Sequence, residues 1–178
     1  WLEQVGAGDL ALVGGKAANL GELVRAGFEV PRGFVVTTQA YRGRNPDGSV
    51  PAPLAGEIRA AWRELVGDSG SRVAVRSSAT AEDLAEASFA GQQETFLDVD
   101  GEDAVIAAVA DCWASLYSDR AIAYRRERGV DEAGLSIAVV VQLMVPAQAA
   151  GVMFTANPIN GNRRETMITA ARGLGEAV

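Results

Sequence analysis

An α+β fold is what the sequence predicts, on three observations. Helix-spaced apolar residues dominate the first two thirds of the chain, strand-like runs cluster near its end, and glycine- and proline-rich breaks divide them. This order differs from the regular strand and helix alternation of a Rossmann sheet.

Each element has its own local reason. Gly14 and Gly15 precede a segment with Leu20, Leu23 and Val24 on one helical face, so 14–27 predicts a glycine turn, a helix and a glycine stop at Gly27. Val30-Pro31 turns the chain into 33–38, a short β-branched run ending in a threonine helix cap. Glycine, asparagine and prolines mark 42–53 as a loop. Helical periodicity covers 54–66, and after a break at 67–71 the alternation of Val73 and Val75 makes 72–76 a strand. A polar tract over 77–93 separates it from a strand at 94–99. Val105, Ile106, Val109, Cys112, Trp113 and Leu116 recur at i, i+3, i+4 spacing, so 104–117 predicts a strongly amphipathic helix. A more charged helix is expected at 119–128, then strands at 136–145, 151–155 and 165–169, the last two joined by a turn around 157–162.

Composition narrows the function classes. A chain of 178 residues with 48% hydrophobic and 22% charged residues fits one soluble core or two small lobes. No apolar run approaches the roughly 18 residues that span a bilayer, so no membrane association is expected. Lys+Arg 16 against Asp+Glu 23 leaves a net charge of −7, a field that repels nucleic acid. Cys112 is the single cysteine, so no internal disulfide forms, and with no signal peptide the expected location is cytoplasmic. The chain opens on Trp1 and stops at Val178 soon after Gly-Leu-Gly-Glu, which predicts trimmed ends of a larger protein. Histidine is absent, which removes imidazole-based triads, His-ligated metals and any phosphohistidine on this chain. Lys16 is the only lysine among 16 basic residues, so an ammonium is singled out at that position.

Several motifs carry candidate chemistry. Gly14-Gly15-Lys16 at a helix start brings backbone N–H groups, a dipole end and a cation to one place, although a plain helix terminus with a surface lysine accounts for it equally. It is not a Walker A loop, because Leu10 and Ala17 stand where glycine and Ser or Thr are required. Gly173-Leu174-Gly175 does not complete a dinucleotide fingerprint, since Val178 takes the place of the third small residue. Arg76 followed by Ser77 and Ser78 is suited to hold an anion; the alternative is a capping box with Thr80 at the cap and Asp83 at N3. Gly91, in the polar stretch 88–95 with Thr95, would let backbone approach a phosphate, or the stretch is an ordinary loop. Gln142 interrupts an apolar run; either it is buried and partnered, for instance by a flat heteroaromatic ligand, or it faces solvent on an edge strand. Asp98, Asp100, Glu102 and Asp103 read as a charged helix start rather than a cation site, and Arg125, Arg126 and Arg128 as a solvated helix face.

Taken in order, these motifs resemble the N-terminal nucleotide-binding region of the PEP-utilising dikinases, the group of phosphoenolpyruvate synthase, pyruvate phosphate dikinase and rifampicin phosphotransferase. The similar stretches are 13–16 with 19–23, 30–38, 73–95, 112–116 with 119–121, 151–158 and 173–177. The resemblance implies an ATP-grasp-type α+β domain over 1–178, truncated at its C-terminus, with ATP held between two lobes. It implies Lys16 and Arg76 as the catalytic, phosphate-contacting residues, Gly91 and Thr95 in the loop over the phosphates, and Gln142 at the adenine side. ATP and Mg²⁺ are the implied cofactors, with no metal ligand inside this chain.

The implied activity is a dikinase-type phosphotransfer from ATP, releasing AMP, to a histidine on a swivelling domain present in cis or in trans. Pyruvate or a rifamycin-like hydroxyl is the final acceptor. The alternative is a non-catalytic nucleotide- or partner-binding module on the same fold. The chain departs from the family pattern in three places: the carrier histidine is absent, as expected if its domain lies elsewhere; the family's metal-binding residues are expected beyond Val178; and only 59 residues separate Lys16 from Arg76, with the loop at 42–53 where a helical insertion is expected.

Overall fold

The computed structural model describes residues 1–80, 94–119, 121–123 and 135–175. In chain order the elements are α1 (Leu10–Arg25), β1 (Gly33–Val36), α2 (Thr38–Arg42), α3 (Ala52–Val66), β2 (Val73–Ala79), β3 (Thr95–Val99), α4 (Glu102–Ala114), β4 (Ile137–Leu143), β5 (Ala149–Phe154) and β6 (Met167–Arg172). Short 3₁₀ turns precede α1 and follow α3 and α4. The class is α+β with antiparallel sheets, as the segregation of patterns predicts.

The chain divides into two compact units, Trp1–Met144 and Val145–Val178. In the first unit four strands form a sheet in the order β1-β4-β2-β3, with each neighbouring pair antiparallel. The last strand in sequence is therefore internal. Its six residues Ile137–Gln142 are all buried, which explains why the run is continuously apolar instead of alternating.

Each sheet face has its own core. Val73, Val75, Val139, Val141 and Phe34 pack with α2, α3 and α4 through Tyr41, Ile58, Val105, Val109 and Trp113. On the opposite face Val140 and Val35 pack with Val13, Ala17 and Ala18 of α1, closed from the side by Leu2 and Val5. The α4 periodicity accordingly faces the sheet, while its first-turn Glu102 and Asp103 pair with Arg63 and Arg59 of α3 at 2.8 Å each. This pairing is the charged helix start that the acidic cluster suggests.

Two elements differ from the sequence expectation. β2 runs on through Ser77, Ser78 and Ala79, because β4 pairs with it as far as Ala79↔Ile137 and supplies the hydrogen bonds that a polar tract would take from water. The helix cap after β1 is Thr37, whose hydroxyl accepts from Ala40 N at 3.4 Å. The glycine turn expected before the helix is present: Gly14 takes φ 73° and ψ 169°, and the regular part of α1 starts after it. The charged helix expected at 119–128, the Arg125, Arg126 and Arg128 face and the Asp83 half of the capping box fall largely or wholly outside the described residues.

In the second unit β5 and β6 form an antiparallel pair from Ala149↔Arg172 to Phe154↔Met167. The intervening turn is tied by side chains: Asn157 Nδ2 and Asn162 Nδ2 donate to the two oxygens of Glu165 at 2.6 and 2.7 Å, and Gly161 takes φ 72°. Val152, Met153, Phe154 and Ile168 of this ribbon are exposed.

Candidate functional site

The site is built where α1 meets β2. The left-handed Gly14 lets the start of the helix press onto the strand: a Cβ there would lie 2.2 Å from the Ser78 carbonyl oxygen. Ser78 then stitches the two together. Its Oγ donates to the Val13 carbonyl at 2.8 Å and accepts from Ala17 N at 3.1 Å, acting as a helix cap delivered from 61 residues away. The same junction carries the lone lysine, whose Nζ donates to the Ser77 carbonyl at 2.6 Å.

Cross-strand partners share a face of an antiparallel sheet, so the register decides what stands beside Lys16. Arg76 pairs with Thr95 on one side and Val140 on the other, and Ala74 pairs with Gln142. Val140 packs on α1. Arg76, Thr95 and Gln142 therefore all project on the α1 face, with Gln142 diagonal to Arg76 at the roughly 7 Å spacing of same-face neighbours. Lys16 joins them from the helix start. No described carboxylate pairs with Arg76. A cation at the positive end of a helix, next to a second cation on the strand, is an arrangement that an anion stabilises. Gly91 lies outside the described residues.

Gln142 is not on an edge. It is 7% exposed on an internal strand, and its Nε2 donates to the Pro31 carbonyl at 2.9 Å. A carbonyl only accepts, so the amide orientation is set, and Oε1 is left as the acceptor. The solvent-facing alternative is thereby corrected: β4 is enclosed by β1 and β2, and burial requires the amide to find a partner.

The two serines after Arg76 also read differently in three dimensions. Ser77 Oγ donates to the Glu94 carbonyl at 3.3 Å, and Ser78 Oγ is used in both directions by α1. Their hydroxyls hold the fold; the Ser77 carbonyl orients Lys16. Sequence reasoning missed Ser78 as a cap, since its partners lie 61 and 65 residues upstream and no local pattern links them. Ser78→Ala is expected to lower stability by about 1–3 kcal/mol, through the unsatisfied Val13 carbonyl and Ala17 amide, while leaving anion affinity in the folded protein unchanged. Urea unfolding beside a nucleotide titration checks this; a loss of affinity at constant stability would assign the hydroxyl to the ligand instead.

Cys112 sits behind the site on α4 and is fully buried. Burial pushes its thiol from the ordinary 9.0 up to about 12, with the Lys16 charge acting in the opposite direction and Glu94 and Asp111 adding to the rise. The thiol is therefore inert in the folded chain, and alkylation at pH 8 is expected only as fast as the protein opens. Because the unfolded chain releases this proton first, its contribution to stability is whole below pH 9 and falls as pH rises toward 12, by at most about 1.4 kcal/mol per unit. Comparison of the alkaline slope with that of Cys112→Ala measures it.

One cavity lies against α4 and the 44–49 loop and another beside β1 and α3. Neither is lined by Lys16, Arg76, Thr95 or Gln142. No group of three or more Asp, Glu, Cys or His able to hold a metal is assembled among the described residues, and none of their helices is long and apolar enough to cross a membrane.

Comparison with known proteins decides the kinship. Residues 10–45 and 46–178 match the family model of the pyruvate phosphate dikinase AMP/ATP-binding domain. The chain belongs to this family. Phosphoenolpyruvate synthase of Pyrococcus furiosus is 40% identical over 248 residues, which takes in 100% of this chain and 30% of that protein. A probable phosphoenolpyruvate synthase of Staphylothermus marinus is 43% identical over 218 residues, covering 100% and 26%. Rifampicin phosphotransferase of Streptomyces sviceus is 42% identical over 211 residues, covering 99% and 24%. The chain thus spans less than a third of the length of the curated relatives it matches. The dikinase-family match breaks between 45 and 46, inside the loop where the sequence departs from the family pattern.

Proposed function

We propose that this chain is the nucleotide-binding part of an ATP-grasp-type phosphotransferase and binds ATP between the α1 face of the sheet and residues that complete the domain further along the protein. The observation that carries the proposal is the gathering of Lys16, Arg76 and a helix N-terminus at one end of β2 in a chain of net charge −7. Lys16, oriented by the Ser77 carbonyl, and Arg76 hold the phosphates, and both charges offset the negative charge of the phosphoryl group as it leaves. Thr95, opposite Arg76, and Gly91 belong to the cover over them. Gln142 offers Oε1 to the exocyclic amine of adenine, with its Nε2 already committed to Pro31.

Magnesium is proposed to enter with the nucleotide, held by its phosphates, since the described residues assemble no carboxylate set for it. In the whole protein, in the cytoplasm, the phosphoryl group passes from ATP to a histidine on a separate domain and then to pyruvate or a rifamycin-like hydroxyl. The names of the relatives, phosphoenolpyruvate synthase and rifampicin phosphotransferase, support this. Incubation of the whole protein with Mg-ATP and either acceptor is the test: AMP is the expected nucleotide product, and ADP in its place overturns the dikinase assignment.

A further inference from the structure

We infer that the cavity between the 44–49 loop and the C-terminal end of α4 binds a small zwitterion, an α-amino acid with an aromatic side chain. The cavity holds about 740 Å³, within the usual range for small-molecule sites, and lies on the α4 side of the sheet, opposite the α1 face that carries Arg76. One wall is the loop at which the family match divides into two segments, 10–45 and 46–178.

The loop is shaped by its own bonds. Asn45 N donates to the Ser49 carbonyl at 3.1 Å, Asn45 Nδ2 donates to Ser49 Oγ at 2.9 Å, and Asp47 Oδ1 accepts from Ser49 N at 2.9 Å and from Ser49 Oγ at 2.7 Å. Arg44 is fixed by stacking 4.0 Å over the Tyr41 ring and by one bond from Nη1 to the Tyr41 carbonyl at 2.9 Å. Its remaining guanidinium donors have no partner among the described residues. Asp111 lines the same cavity, and its carboxylate has no partner there either.

Two opposite charges thus border one cavity without pairing with each other, and a ligand that carries both signs satisfies both. Trp113, 1% exposed, lines the cavity as an apolar wall on the core side. Tyr117, 60% exposed at the rim, offers a ring for an aromatic side chain.

The test is calorimetric titration of the intact chain with L-phenylalanine, 3-phenylpropanoate, which lacks the ammonium, and 2-phenylethylamine, which lacks the carboxylate. Saturable millimolar binding of L-phenylalanine is expected, weakened roughly tenfold or more in either analogue and in Arg44→Gln and Asp111→Asn. Both substitutions lie away from the Lys16 and Arg76 site and are expected to leave Mg-ATP affinity unchanged. Absence of saturation by L-phenylalanine overturns the inference, as does equal affinity for an analogue or for both variants.

Discussion

Gly14→Ala is expected to destabilise the chain by about 3 kcal/mol or more. Two costs combine. At φ 73° and ψ 169° the backbone is in a region open to glycine alone, and the added Cβ would lie 2.2 Å from the carbonyl oxygen of Ser78, which β4 holds in register. Relief requires the start of α1 to move off β2, and that movement breaks the Ser78 cap and the Lys16 contact with Ser77 together. Gly56→Ala is the matching control. Gly56 lies within α3 with nothing within 4 Å of its absent Cβ, so alanine there is expected to stabilise by about 0.5–1 kcal/mol. Denaturant midpoints for the two variants should move in opposite directions, and a Gly14→Ala midpoint equal to that of the parent chain would mean that the junction is not rigid.

Arg76→Ala is expected to weaken Mg-ATP binding by about 1.5–3 kcal/mol, roughly 10- to 150-fold, with little change in stability. Arg76 has no described ion-pair partner, so its removal leaves no buried charge behind. Lys16→Ala is expected to reach a similar loss of affinity but also to lower stability, because the bond from Nζ to the Ser77 carbonyl is lost. The distinction between the two is what a calorimetric titration paired with an unfolding curve reads out. Both losses should shrink as salt rises, since screening weakens the same attraction in the parent chain. Unchanged ATP affinity in Arg76→Ala would remove the phosphates from this end of β2.

Much of the fold was legible in the residues themselves. The apolar spacing of α3 and α4, the glycine pair before the regular part of α1, the loop at 42–53 and the turn at 157–162 are local signals, because helix period, turn chemistry and breaker residues act within a few positions. The solitary lysine and the arginine after Val75 also stood out in sequence, and the family to which they belong is carried by contiguous motifs.

The tertiary structure alone decided the rest, and each case turns on a partner far away in the chain. β2 continues through two serines only because β4 pairs with them. Gln142 is interior only because β1 closes over the other side of β4. Ser78 belongs to a helix that starts more than 60 residues before it. An arginine at position 76 and a glutamine at position 142 share one face because antiparallel register sets them diagonally opposite. Local sequence sets the period of an element, whereas the choice of pairing partner depends on burying apolar faces and satisfying backbone groups across the whole chain, and those terms have no local signature.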